Sequence, residues 1–406
     1  MSQVRCLIVT THFRPLIGGA LTVYDALARC APDQIALLTA SSDYTNGHEV
    51  DGWRAFDRDA PYEITRLAAL RPQMLAPGAG IIAKIISKFK GLLINRRVLR
   101  ETTRCALRGN FDVVCIGAQD ALGWMVKPLQ DRTNAKVIIY VHGEEVSQVA
   151  YSDKAESQRK TALKAADGLT AVSSFTAGLL STKYGVPMER IQLQNNGVDL
   201  QTFNGVLRVT DRTKYRLPNG PYVFSCGRLV ERKGFDKLIE AWPKVAAAMP
   251  GVKLVIGGKG PLEAGLIASI AKLGIGDSVQ MLGWIEEGAL ASCYGFADLF
   301  IMPNRTMPDG DTEGFGLVFL EAAAMGTPSI AGRAGGAVDA VIDGETGLFV
   351  DGNNTGEISS ALIEILSNDT RRQAMAKAAQ KHAHTQGWQV KTLEFLDFVG
   401  RLKSCS

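Results

Sequence analysis

Short apolar, β-branched runs alternate with helical patterns along this chain, and the whole alternation occurs twice. In the first round the strand-like runs are Arg5–Thr10, Ile35–Thr39, Val113–Gly117, Lys136–Val141 and Leu169–Ser173. Between them lie helical stretches at Ala20–Cys30, Ala83–Arg108 and Ser157–Ala166. After Asn204 the pattern restarts, with strands at Tyr222–Cys226, Lys253–Gly257, Val279–Leu282, Leu299–Met302 and Ser329–Ala331, and helices at Phe235–Ala248 and Pro261–Leu273. Parallel strands need long crossovers, usually helical, so this alternation predicts parallel sheets flanked by helices. A chain of 406 residues exceeds one compact core. The expectation is an α/β chain of two Rossmann-like, doubly wound domains. Turn chemistry at Asn195-Asn196-Gly197, followed by a polar segment to Arg212, sets an N-terminal domain at 1–200 and a C-terminal domain at 205–386. Ligands of doubly wound sheets bind at the carboxyl ends of strands, which makes the cleft between the domains the expected site.

Composition excludes more than it assigns. The apolar share of 46%, the charged share of 21% and the net charge of +4 are ordinary for a soluble globular chain and name no partner. Cys6, Cys30, Cys105, Cys115, Cys226, Cys293 and Cys405 are scattered, with no Cys-x-x-Cys pair, and read as reduced thiols of a cytoplasmic protein. Five histidines, none at metal spacing, argue against a zinc site. Met1–Thr10 is no secretory leader, and no run of about 18 uncharged apolar residues exists to span a bilayer. No Gly-x-Gly-x-x-Gly follows the first strand, and Gly257–Pro261 lacks the Gly-Lys-Ser/Thr ending of a P-loop. No Asp-x-Asp metal pair accompanies the motifs below, so neither a metal nor a cofactor is expected.

The strongest motif is the stretch from Asp311 to Glu321, with Glu313, Gly314, Phe315 and Gly316 ahead of a helix that starts at Leu317 and is ended by Gly326 and Pro328. A helix start offers free N–H groups and a positive dipole end, suited to a diphosphate or a sugar oxygen. Glu313 can bond sugar hydroxyls, and Glu321 the paired hydroxyls of a ribose. An amphipathic helix with two solvated glutamates fits the same pattern. The second motif, Gly227-Arg228-Leu-Val-Glu-Arg-Lys233-Gly234, directly follows the strand Tyr222–Cys226. Cations there would neutralise a diphosphate, Arg228 by a fork and Lys233 as a point charge, and would help most as a leaving diphosphate gains charge. A solvated basic loop is the bland alternative.

Taken together, these residues resemble the large family of retaining, group 1 glycosyltransferases of the GT-B fold, in the sucrose-phosphate-synthase-like and mannosyl branches. Supporting pieces run through most of the chain: Pro15-Leu-Ile-Gly18-Gly19, His142-Gly143, Asn196-Gly-Val-Asp199, Ile256–Pro261, Leu282-Gly-Trp284 and Gly332-Arg-Ala-Gly335-Gly336. Pro303–Gly336 is especially similar to phosphatidylinositol-type mannosyltransferases. One departure is Gly257-Gly-Lys-Gly260, where the family often has Gly-x-Gly with an acid or small residue.

The resemblance implies hexosyl transfer with retention from a nucleotide-diphosphate sugar, GDP-mannose or a UDP-hexose, to a lipid-linked or saccharide acceptor in cell-surface glycan synthesis. It implies that Gly18 and Gly19 approach the donor diphosphate through backbone N–H groups, that His142 bonds the donor sugar, and that Gly258 and Leu282 lie near the base. It also implies that the helix 388–402 packs back on the N-terminal domain, and that the leaving phosphate takes the acceptor's proton on the same face. A phosphorylase would need a pyridoxal lysine motif, which is not found. An epimerase on the same architecture and a catalytically idle sugar-nucleotide sensor are the remaining readings. The intact set Glu313, Glu321, Arg228 and Lys233 speaks against the sensor.

Gly80–Gly109 stands apart. It carries eight basic residues, Lys84, Lys88, Lys90, Arg96, Arg97, Arg100, Arg104 and Arg108, against the single acid Glu101. Ile82, Ile85, Ile86 and Phe89 recur at helical spacing among them. Such a helix, residues 81–108, suits an anionic membrane surface and would make the protein peripheral on the inner face of the cell membrane. Packing of the stripe on the N-terminal domain, with a wet basic face, is the alternative. Nucleic acid is not expected, because no aromatic residues interleave the charges as stacking platforms.

Overall fold

A computed structural model describes residues 3–75, 78, 80–205 and 212–404. Cys405 and part of the expected domain boundary lie outside them. By internal contacts the chain divides into two compact units. The first comprises Met1–Val172, Ala177–Gln194 and Lys391–Ser406, and the second Ser173–Thr176 and Asn195–Val390.

The first unit is built on seven parallel strands: β1 (Cys6–Val9), β2 (Ile35–Ala40), β3 (Ile64–Leu67), β4 (Val113–Ile116), β5 (Lys136–Val141), β6 (Gly168–Ala171) and β7 (Ile191–Leu193), in the order β3-β2-β1-β4-β5-β6-β7. The second holds β8 (Tyr222–Cys226), β9 (Lys253–Gly257), β10 (Val279–Gly283), β11 (Leu299–Met302), β12 (Ser329–Gly332) and β13 (Gly347–Val350), also all parallel, in the order β10-β9-β8-β11-β12-β13. Helices cover both faces of a parallel sheet, so its central strands must be apolar on both sides. Cys-Leu-Ile-Val in β1, Val-Val-Cys-Ile in β4 and Leu-Phe-Ile-Met in β11 meet that demand and are buried throughout. The same requirement recurs in the helix Phe235–Ala248, whose Leu238, Ile239, Trp242 and Val245 close over Val223, Leu254 and Leu299. Each such side chain contributes about 1.5–3 kcal/mol on burial.

In both sheets the strand order reverses beside the first strand, between β1 and β4 and between β8 and β11. There the neighbouring crossovers leave in opposite directions and open a crevice at the carboxyl ends. The loops after β8 and β11 carry the two strongest motifs.

The helix Ile81–Arg108 does not bury its apolar stripe. Only Gly91, Val98, Leu99, Thr102 and Ala106 are buried, nearly all in its second half. Ile81 and Ile82 stand 77% and 75% exposed, and Ile85, Ile86, Phe89, Leu92 and Leu93 are exposed as well. The stripe is therefore not a core face.

Candidate functional site

In the second unit the loops after β8 and β11 are stitched together at their backbones. The Arg305 N–H donates to the Arg232 carbonyl at 2.7 Å, and the Arg305 guanidinium forks onto Asp236 with two bonds of 2.9 Å. Asn304 ties the same loop to β12, donating to the Ala334 carbonyl at 2.9 Å and accepting from the Gly332 N–H at 3.0 Å. Fixed this way, the short turn Glu231–Lys233 sets two cations against one carboxylate. Glu313 Oε2 accepts from Lys233 Nζ at 2.7 Å and from Arg232 Nη1 at 2.8 Å. Lys233 Nζ also lies 3.4 Å from Met302 Sδ. Burial opposes ionisation of Glu313, but Lys233 and Arg232 overcome it and hold its carboxyl below the usual range. Desolvation offsets much of what such a buried pair gains, but removing one partner would leave the other charge poorly compensated.

The backbone of Glu313 is gripped from behind. The Gly336 N–H donates to the Glu313 carbonyl at 2.7 Å, and a Cβ on Gly336 would fall 1.9 Å from the Gly314 carbonyl oxygen. Phe315 is buried beneath the turn, and Gly316, at φ +90°, caps the helix Leu317–Ala324 with no side-chain cap. Glu321, one turn in, accepts from the Tyr294 hydroxyl at 2.9 Å, and that hydroxyl lies 3.1 Å from Cys226 Sγ at the end of β8. Gly258 follows β9 and donates its N–H to the Gly283 carbonyl at 2.6 Å. Leu282 is buried in β10 and its carbonyl accepts from Arg216 at 3.3 Å. Lys233 and Glu313 are thus in direct contact, Glu321 is anchored on the neighbouring helix, and Gly258 joins the loop at Gly283. Arg228 is exposed.

In the first unit Gly19 opens the helix Gly19–Cys30 rather than lying in the loop before it, because the turn of helix begins one residue earlier than its apolar pattern. Gly18 precedes it in extended backbone. Neither glycine is demanded by packing: a Cβ on Gly18 would make only ordinary contact with Leu21, and one on Gly19 would meet nothing. The same helix carries Tyr24, whose hydroxyl lies 2.6 Å from His142 Nε2. His142 follows β5 directly, its ring stacked on Tyr140 with centroids 5.0 Å apart. Burial pushes the imidazole down to about 3, so it is neutral at physiological pH.

The His142 N–H donates to Glu145 Oε1 at 2.7 Å. Burial raises Glu145 to about 7 despite that bond. A carboxyl raised on folding costs stability as pH climbs from its ordinary value near 4.5 to the folded one near 7. Glu145→Gln keeps the acceptor and removes the charge. Across that window the Tm of the wild type is expected to fall relative to the variant, and parallel Tm–pH curves would refute it.

Sequence reasoning overlooked Arg232, Tyr294 and Tyr24. Arg232 stands inside the basic motif, so its place was visible but not its partner. No sequence signal marks the two tyrosines, which join residues 27 and 118 positions apart. Among the described residues no group of three or more His, Cys, Asp or Glu side chains is arranged to hold a metal ion, and no helix is long and apolar enough to cross a membrane.

Residues 208–382 match the family model for glycosyl transferases group 1, and residues 44–202 that for glycosyltransferase family 4. The chain is 31% identical to the GDP-mannose-dependent monoacylated alpha-(1-6)-phosphatidylinositol monomannoside mannosyltransferase of Corynebacterium glutamicum, over 95% of both chains. It is 30% identical to the GDP-mannose-dependent alpha-(1-6)-phosphatidylinositol monomannoside mannosyltransferase of Mycobacterium tuberculosis, over 97% of this chain and 98% of that one. Among solved structures it is similar to Anabaena HepE in complex with UDP, at 18% identity and a TM-score of 0.78, covering 98% of this chain and 100% of that chain. Sucrose-phosphate synthase from Thermosynechococcus elongatus is 21% identical with a TM-score of 0.75, covering 100% of both. At those identities the likeness is one of fold.

Proposed function

The chain belongs to the group 1 glycosyltransferase family and has its GT-B fold of two Rossmann-like domains, and from that premise we propose that it transfers mannose from GDP-mannose, with retention, to a phosphatidylinositol-type lipid acceptor. The observation that carries the donor half of this reading is the Glu313 carboxylate held by Lys233 and Arg232 beside the uncapped start of the helix Leu317–Ala324. Two cations and a helix N-terminus suit a diphosphate whose charge grows as the glycosidic bond breaks. In this reading Glu313 bonds hydroxyls of the sugar, Glu321 those of the ribose, and Gly258 and Leu282 lie near the base. Gly18 and Gly19 bring backbone N–H groups to the diphosphate, and His142 bonds the sugar. The relatives' names support mannose and an inositol lipid as the two substrates.

Thermal shift with a panel of nucleotide sugars tests the donor directly. At a hundred times Kd a bound ligand adds about 2.7 kcal/mol of stability. GDP-mannose is expected to raise Tm more than any UDP-hexose; a larger shift with a UDP-hexose would overturn the mannose assignment.

The work of a metal falls to Arg228, Lys233, Arg232 and the helix start. Transfer is therefore expected without added divalent metal. Activity lost in EDTA and restored by magnesium or manganese would refute this.

A lipid acceptor calls for a way onto the membrane, and the exposed stripe of the helix Ile81–Arg108 among its basic residues supports one. The enzyme acts as a peripheral protein on the inner face of the cell membrane, in the synthesis of a cell-surface glycolipid.

A further inference from the structure

We propose that Tyr24 is a positioning residue of this transferase: its phenol, anchored on the Gly117 carbonyl, holds His142 protonated at Nε2 and leaves Nδ1 as the bare acceptor that takes a hydroxyl of the donor sugar. The inference rests on the reading that His142 meets the sugar. Its premise is a count of protons. The Tyr24 hydroxyl lies 2.8 Å from the Gly117 carbonyl oxygen and 2.6 Å from His142 Nε2. A carbonyl oxygen only accepts, and a phenol has one proton. That proton goes to Gly117, so the bond to the ring is donated by Nε2–H. A neutral imidazole has one N–H, which leaves Nδ1 with its lone pair. Nδ1 has no partner among the described residues, and the ring is only half-buried.

The arrangement is built rather than incidental. A Cβ on Gly117 would fall 2.5 Å from the Tyr24 hydroxyl oxygen and 2.6 Å from its ring, so the phenol reaches its anchor only because residue 117 is glycine. Gly117 follows β4, Tyr24 comes from the helix after β1, and His142 follows β5. Three adjacent strands thus converge on one ring. Tyr140 stacks on one face of the imidazole and Tyr24 meets it edge-on with centroids 5.2 Å apart, which fixes its plane. With Glu145 holding the backbone N–H, neither the ring nor its mainchain is left to rotate. An acceptor already aimed loses little on meeting its donor.

Two-bond ¹H–¹⁵N correlation on histidine-labelled protein reports the tautomer directly, with His142 assigned by comparison with His142→Asn. The wild type is expected to show a neutral ring protonated at Nε2. Tyr24→Phe is expected to mix the tautomers and lower kcat about 10-fold, with donor KM changed less than threefold. Gly117→Ala, which leaves both rings intact but displaces the phenol, should reproduce both effects. His142→Asn keeps an oxygen near the place of Nδ1 and should retain more activity than His142→Ala. A ring protonated at Nδ1 in the wild type, or an unchanged spectrum and kcat in both Tyr24→Phe and Gly117→Ala, would overturn the role of Tyr24. Full activity of His142→Ala would instead sink the reading of His142, whatever the tautomer.

Discussion

Lys233→Ala is expected to lower kcat/KM by about 100-fold or more, and Arg228→Ala by about 10-fold, on the order of 2.7 and 1.4 kcal/mol of transition-state stabilisation. The difference follows from where the two cations sit. Lys233 is buried and shares Glu313 Oε2 with Arg232. Its loss removes a charge from the proposed diphosphate site and leaves the carboxylate to Arg232 alone. Arg228 is exposed, so its removal costs ligand contacts alone. Stability should separate the two in the same way. Taking one of its two cations from a buried carboxylate leaves the charge less well compensated, so Lys233→Ala should lower Tm while Arg228→Ala leaves it unchanged. Because Glu313 is held below its ordinary value of 4.5, its pairing contributes stability above that pH, and the contribution is lost as pH falls through the lowered value. The acid limb of Tm should therefore be steeper in the wild type than in Lys233→Ala. Wild-type turnover and donor KM in both variants would mean that the donor diphosphate binds elsewhere.

The second large effect is expected at the membrane. Changing Lys84, Lys88 and Lys90 to Glu turns a segment of eight basic residues and one acid into one of five and four. Each basic residue near an anionic leaflet contributes about 1 kcal/mol, so reversing three should remove essentially all binding. Co-sedimentation with phosphatidylcholine vesicles containing phosphatidylglycerol is expected for the wild type and lost in the variant. Without the anionic lipid neither should sediment. Binding should weaken as salt rises, since exposed charges are screened over about 8 Å at physiological ionic strength. Nucleotide-sugar binding should be untouched. Equal sedimentation of wild type and variant would reject the membrane reading and leave the transferase assignment standing.

Central strands were the most legible part of the sequence. Buried on both faces, β5, β8, β9 and β11 read as apolar runs interrupted only by Lys136, Ser225 and Lys253, and were located to the residue. The strands that escaped, β3, β7 and β13, lie at or near the ends of their sheets. There one-sided burial relaxes the demand for apolar residues: β3 is half-buried and admits Arg66, whose guanidinium pairs with Asp57 at 2.8 Å. The helices Thr355–Leu366 and Asp369–Thr385 were likewise not delimited, although Asn354 and Asn368 cap them through their side chains. Within the candidate site, Glu313 and Lys233 were legible because glycine spacing and strand-end position betray a loop. Their mutual bond was not, because it spans 80 positions and depends on the Arg305 anchor. The Gly335-Gly336 pair was visible as a motif, but its physical reason, the close approach to the backbone at 313–314, belongs to the fold alone.

The last helix, Trp388–Ser404, begins in the second unit and from Lys391 onward belongs to the first. Phe395 packs on Tyr140, Phe398 covers Gly168, and Lys403 pairs with Asp112 at 2.9 Å. On the ribosome, therefore, the first sheet to be made is the last to be finished. At about 5–20 residues per second, roughly ten to forty seconds separate Gln194 from Lys391. Through that interval the nascent first unit waits with the flank of β5 and β6 uncovered. A chaperone that shields apolar surface during translation would find its substrate there, and slow codons in the second half of the message would lengthen the exposure.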